Sequence, residues 1–134
     1  MKTKDIRWEQ RFQNLEKAYL FFEKNVNKNN YSLLEELWLL HSFEFTFELS
    51  WKTLKDYLEN EWIIAKTPRE SIKEAFNIEI IKNWKIWLEM LEKRNELTHI
   101  YDEWLIDWAI EKIQDEYYLA IKELYNFFKS ICKR

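Results

Sequence analysis

The side chains with the strongest claim to chemistry fall in one short run, Arg94-Asn95-Glu96-Leu97-Thr98-His99-Ile100-Tyr101. A guanidinium is permanently charged and offers a fork of donors to phosphate or carboxylate oxygens, whereas an imidazole gains and loses a proton near neutral pH. Together they suit phosphate chemistry that moves protons. The five positions from Arg94 to His99 are about 140° around a continuous helix, so the two converge on one pocket only where a helix ends. Arg94 follows Leu91 by three residues on an inward stripe, and a buried cation needs a counter-charge. Glu44 is the expected partner, because it occupies the step between Leu40 and Phe47 on an otherwise apolar stripe, where an unpaired carboxylate is costly. The plainer alternative is an Arg94–Glu44 pair that only supports the fold, with His99 exposed at a helix end and stabilised by the dipole.

Other chemistries lack their residues. Histidine occurs only at 41 and 99 and cysteine only at 132, too few for a histidine or cysteine metal site and none for an intramolecular disulfide. The complete lack of glycine removes the phosphate loop and the dinucleotide fingerprint, which need it for close backbone approach. No serine triad is discernible. No cofactor or metal is therefore expected. The net charge of −3 gives no global attraction for nucleic acid or an anionic membrane. The basic start (Lys2, Lys4, Arg7, Arg11) and the slight excess over residues 66–94 read as solvated helix faces. No run of 18 apolar residues exists and the start Met1-Lys2-Thr3-Lys4-Asp5 leads into no signal-peptide core, so a cytoplasmic protein with no membrane contact is expected.

The elements that must position these residues are helices. With 134 residues, 47% hydrophobic and 18% aromatic, the chain is long enough for one aromatic-rich core, and residues 1–134 read as a single domain. Without glycine and with one proline, hairpin turns lack their usual residues, which favours an all-α fold. Trp8, Phe12, Leu15, Tyr19, Phe22 and Val26 form a stripe on the first helix, which the asparagines at 27, 29 and 30 should stop with a left-handed cap. Ser32 and Glu35 form a capping box opening a second helix to about Asn60, with Leu33, Leu37, Leu40, Phe47, Trp51, Leu54 and Leu58 on one stripe. Phe43, Phe45, Leu49 and Tyr57 add apolar surface on its other sides, so this helix is central or packs on a second chain. Thr67-Pro68-Arg69-Glu70 is a second capping box and opens a short helix to about Phe76. A fourth runs from near Asn83 to about Thr98 with Trp84, Trp87, Leu88 and Leu91 inward. Asp102 then caps a long last helix striped by Ile106, Ile110, Ile113, Tyr117, Ala120, Leu124, Phe128 and Ile131. The expected architecture is an up-and-down antiparallel bundle of four long helices plus one short helix.

Arg94, four residues and His99 resemble the HEPN superfamily signature of Arg, four to six residues, then His. The text around it is more specific. Phe43-Glu44-Phe45-Thr46-Phe47-Glu48-Leu49-Ser50-Trp51 through Leu58, Thr67 to Glu70, and Arg94 to Glu103 resemble the family called nucleotidyltransferase substrate-binding proteins, from Arg11-Phe12-Gln13-Asn14-Leu15 onward. That resemblance implies a homodimeric helical bundle that complexes with a minimal nucleotidyltransferase encoded by an adjacent gene. Related two-gene systems act as toxin and antitoxin: the HEPN chain is a metal-independent ribonuclease, and the transferase adds AMP to the tyrosine of Arg-x4-His-x-Tyr. Carried over, Arg94 and His99 are catalytic, Tyr101 is the modified residue, exposed beside His99, and Glu44, Glu48 and Asn95 support the pocket. One histidine does not easily make both proton transfers of RNA cleavage, so a dimer should join Arg94 and His99 of both copies in one groove. A non-catalytic subunit presenting a nucleotide or substrate to the transferase, and a helical dimerisation module with a structural pocket, are the alternatives. Family members often carry glycine near Glu61-Trp62 and before the fourth helix, where this chain has none.

Overall fold

The computed structural model describes residues 2–97 and 102–132, with side chains from Ile6 onward except Asn95. Helices α1 (Lys2–Val26), α2 (Leu33–Asn60), the short α3 (Pro68–Asn77), α4 (Trp84–Leu97) and α5 (Glu103–Lys112) follow in order. A π-helical turn (Ile113–Tyr117) joins α5 to α6 (Tyr118–Ile131), and the residues at both junctions keep right-handed helical backbone. The bundle is therefore the expected one, four long antiparallel helices plus α3, with no strand among the described residues.

The α1 stripe is buried along its whole length, from Trp8 to Val26. Its asparagines do not supply the left-handed cap expected of them. The hydroxyl of Tyr31 donates instead to the carbonyls of Asn25 and Val26 at 2.7 and 2.8 Å, and the Gln114 amide donates to the Val26 and Lys28 carbonyls, closing the end of α1 by side chains from outside it. Left-handed backbone appears at Trp62 and Glu79, both with φ of 64°. Each follows a helix end in which two backbone bonds wrap back, Trp62 N–H to Glu59 and Ile63 N–H to Leu58, then Glu79 N–H to Phe76 and Ile80 N–H to Ala75. These are Schellman closures made without the usual glycine.

Ser32 opens α2 with both halves of the capping box. Thr67 opens α3 with only one half, because the Glu70 carboxylate accepts from the Lys66 N–H and not from that of Thr67. Asp102 begins α5 through its carbonyl alone, without a side-chain cap bond. Along α2 the buried residues begin at Leu39. Leu33 and Leu37 are exposed, contrary to the expected stripe; Leu33 borders an open groove between the first turns of α2 and α5, and Leu37 belongs to the uncovered side of α2. Trp87, Met90 and Leu97 form the buried side of α4, while Trp84, Leu88 and Leu91 sit half-buried at its edges. α2 touches all the other α-helices and forms the centre of the core.

Aromatic rings tie α6 to α1. Phe12, Tyr125, Tyr19 and Tyr118 stack in succession, the closest centroids 4.2 Å apart. Their hydroxyls donate to carboxylates, Tyr125 to Glu16 at 2.6 Å and Tyr19 and Tyr118 to Glu23 at 3.0 and 2.9 Å. Burial, then the bond to Glu16 and the nearby negative charges, push the Tyr125 phenol up to about 12, and Tyr19 and Tyr118 are raised too.

Both the ring stack and the left-handed helix ends have measurable consequences. A phenol in the unfolded chain ionises near 10, so the stability contributed by protonated Tyr125 is complete below pH 10 and is lost as pH rises through about 12. Urea unfolding at pH 9 and 12 should differ by about 2 kcal/mol more in the wild type than in Tyr125→Phe. Glu79→Gly should relieve the left-handed strain, gaining about 1 kcal/mol and raising the melting temperature by about 3–5 °C, with Glu79→Val moving it the other way.

Candidate functional site

Arg94 lies in the last turn of α4 and faces α2, where Nη1 donates to Glu48 Oε2 at 2.7 Å. The pair is partly shielded, the side chains 21% and 32% exposed, so its charges are less screened than a surface pair's. Glu48 is held from a second side, since the Trp51 indole N–H donates to both of its oxygens, at 3.1 and 3.0 Å. The carboxylate is thus fixed by its own helix before it meets the guanidinium. Contact with Arg94 is end-on through one nitrogen, and no other side chain among the described residues takes the remaining donors of the fork.

The expected Arg94–Glu44 pair does not form. Glu44 and Glu48 stand one turn apart on the same side of α2, and Arg94 meets the second. Glu44 keeps a buried Oε2 with no hydrogen-bond partner, so the carboxylate that the apolar stripe singled out is the one left unsatisfied. Of the residues expected to support a pocket, Glu48 touches Arg94 directly and Glu44 does not. His99 and Tyr101 lie outside the described residues, as does the side chain of Asn95, and with them the expected exposure of Tyr101.

Trp51 is the participant that periodicity concealed. Its apolar ring assigned it to the core stripe, although an indole N–H three residues after a glutamate on a helix is placed to bond it. A second polar cluster joins α4 to the π-helical turn. Buried Tyr117 donates to Glu89 at 2.6 Å and Lys112 reaches the same oxygen at 3.1 Å. Burial pushes the Glu89 carboxyl up, but the bonds from Tyr117 and Lys112 and the nearby lysine charges outweigh it and hold the carboxyl below its usual range. Lys93 and Lys112 lie 5.6 and 5.9 Å from the Trp108 ring centre, giving this cluster the character of a helix-to-helix clasp. No group of three or more histidine, cysteine or carboxylate side chains is placed to hold a metal ion among the described residues.

The model of the family described as "nucleotidyltransferase substrate binding protein like" matches residues 10–130, a span that includes α2, the Arg94–Glu48 contact and the final helix. The chain belongs to that family. Membership ties it by name to a nucleotidyltransferase, and the matched span contains the run from Phe43 to Leu58. The fold is shared with a crystal structure of a protein from Thermus thermophilus, with a TM-score of 0.78 at 24% identity over 90% of this chain and 99% of the other. No protein of curated function matches the sequence. No helix among the described residues is long and apolar enough to cross a membrane.

The two glutamates should respond oppositely to removal of charge. Glu44→Met should raise stability by about 1 kcal/mol by removing an unsatisfied buried oxygen, whereas Glu48→Met should lower it by about 2 kcal/mol by stranding Arg94, both read from urea unfolding.

Proposed function

We propose that this protein is a HEPN-type partner of a minimal nucleotidyltransferase and a metal-independent ribonuclease, restrained when that transferase modifies Tyr101. The observation that carries the reading is the end-on Arg94–Glu48 contact: a cation fixed at the end of α4, with donors to spare, five residues before the histidine of an Arg-x4-His-x-Tyr motif. Arg94 clamps a phosphate and offsets the charge that builds on phosphorus. A base takes the proton of the ribose 2′-OH while its oxygen attacks phosphorus; the P–O5′ bond breaks, and an acid returns a proton to the leaving 5′-oxygen. The products are a 2′,3′-cyclic phosphate and a 5′-hydroxyl. His99 serves one of these transfers, and a second copy of the chain supplies the other histidine, so the active form is a homodimer. AMP on Tyr101 adds negative charge and bulk that oppose RNA. The domain spans residues 1–134, acts in the cytoplasm and carries no cofactor of its own.

The purified homodimer, free of its transferase and of AMP on Tyr101, should cleave RNA in EDTA and leave cyclic phosphate ends. His99→Ala should reduce cleavage by at least about 100-fold with the melting temperature unchanged. Arg94→Ala should reduce it as well, at some cost in stability because Glu48 loses its counter-charge. Wild-type protein that cleaves no faster than His99→Ala overturns the ribonuclease and leaves a non-catalytic nucleotide-binding subunit of the transferase in its place.

A further inference from the structure

The exposed side of α2 carries a run of apolar side chains open to water. Leu34, Trp38 and Phe45 are 77%, 52% and 56% exposed, and Leu37 and the neighbouring Phe21 of α1 are 41% and 46% exposed. Leu34, His41 and Glu48 repeat every seven residues along the middle of this side, with Trp38 and Phe45 between them, the spacing of a seam between two helices. Trp38 and Phe45 lean toward α1, where they line a groove of about 440 Å³ with Lys17, Phe21, His41 and Ser42. The groove continues past Trp38 into a second of about 290 Å³ that reaches Lys28 and Leu34.

The two rims of this face carry opposite charge. On the α1 side stand Lys17 and, seven residues on along the same stripe, Lys24. On the α5 side Glu36, Glu103 and Asp107 surround the groove that also exposes Leu33. None of these three carboxylates has an ion-pair partner among the described residues, and burial together with the charges of Asp107 and Glu103 raises the Glu36 carboxyl. An apolar strip with unneutralised acids along one edge and lysines along the other carries its own complement.

We infer that a second copy of this chain packs on this face about a two-fold axis running alongside α2, so that the α1 lysine rim of each copy meets the α5 carboxylate rim of the other. That axis brings opposite flanks together, whereas a two-fold across α2 sets lysines on lysines. The same axis leaves the two Arg94–Glu48 pairs at one height, on either side of the seam, where one bound strand of phosphates reaches both. The surface rests on the homodimer of the proposed function and is independent of its ribonuclease step.

The test begins from Cys132→Ser, which leaves no other thiol. His41→Cys, at the middle of the seam, should form a disulfide-linked dimer under mild oxidation, since equivalent positions across a two-fold helix seam approach within disulfide reach. Lys73→Cys, exposed on α3, should not. Phe45→Glu should weaken the dimer at least about 100-fold by sedimentation with its helical spectrum unchanged. Lys24→Glu and Glu103→Lys should each weaken it alone, and mixing the two variants should restore a dimer, because both rims are then complementary. A wild-type dimer indifferent to Phe45→Glu, or one that His41→Cys does not link, overturns this surface and leaves the homodimer standing. A chain that stays monomeric at micromolar concentration overturns both, and RNA cleavage by such a monomer leaves the ribonuclease in place without them.

Discussion

Helix α2 carries apolar side chains on so many sides that no single neighbour shields it, and the bundle is organised by that fact. Leu39, Leu40, Phe43, Phe47, Leu54 and Leu58 are buried against helices arriving from both directions along the chain. A helix so surrounded has only one open side, and any polar group on it must be satisfied locally or by a facing element. The Trp51–Glu48–Arg94 chain of contacts is one such solution, in which the first bond is made within a single turn and the second across the helix interface. Position along α2 therefore decides chemistry: Glu48 meets a cation and is useful, whereas Glu44, one turn earlier, retains an unpartnered buried oxygen.

The electrostatics of the site follow from shielding more than from net charge. The molecule is mildly acidic, so nothing draws an anion to it from a distance. At close range Arg94 presents donors in a partly shielded setting, and its counter-charge uses only one of them. A fully bidentate contact would have consumed that edge of the fork.

Periodicity made the helices legible because burial of a stripe is a large, summed effect that tolerates errors at single positions. The six residues of the α1 stripe and the Ser32–Glu35 box are found as read, as is the last stripe through Phe128. The ends were harder, since a cap is decided by whichever donor arrives first. Tyr31 and Gln114 reach the end of α1, so its asparagines are not required to turn left-handed, while Trp62 and Glu79 adopt that conformation although their side chains disfavour it. The π-helical turn left no trace in an apolar pattern that both helix types satisfy over a few residues. Choosing Glu44 over Glu48 for Arg94 failed for a related reason: two carboxylates a turn apart share a face, and the height at which α4 crosses α2 selects between them. The motif Arg94 to Tyr101 was legible as a motif alone, because roles assigned by spacing say nothing of which groups stand opposite.

The plug at the end of α1 also sets an order on the making of the protein. Gln114 bonds Val26 across 88 positions of chain, and the tyrosines that stack on α1 are separated from it by still longer stretches. During synthesis α1 and α2 can pair early, yet the aromatic surface of α1 toward α6 stays uncovered until α6 itself has left the ribosome. A nascent chain of this kind exposes that ring surface throughout the synthesis of α2 to α5. A message truncated shortly before α6 would therefore yield a sticky, degradation-prone product, with no intermediate length that closes the bundle.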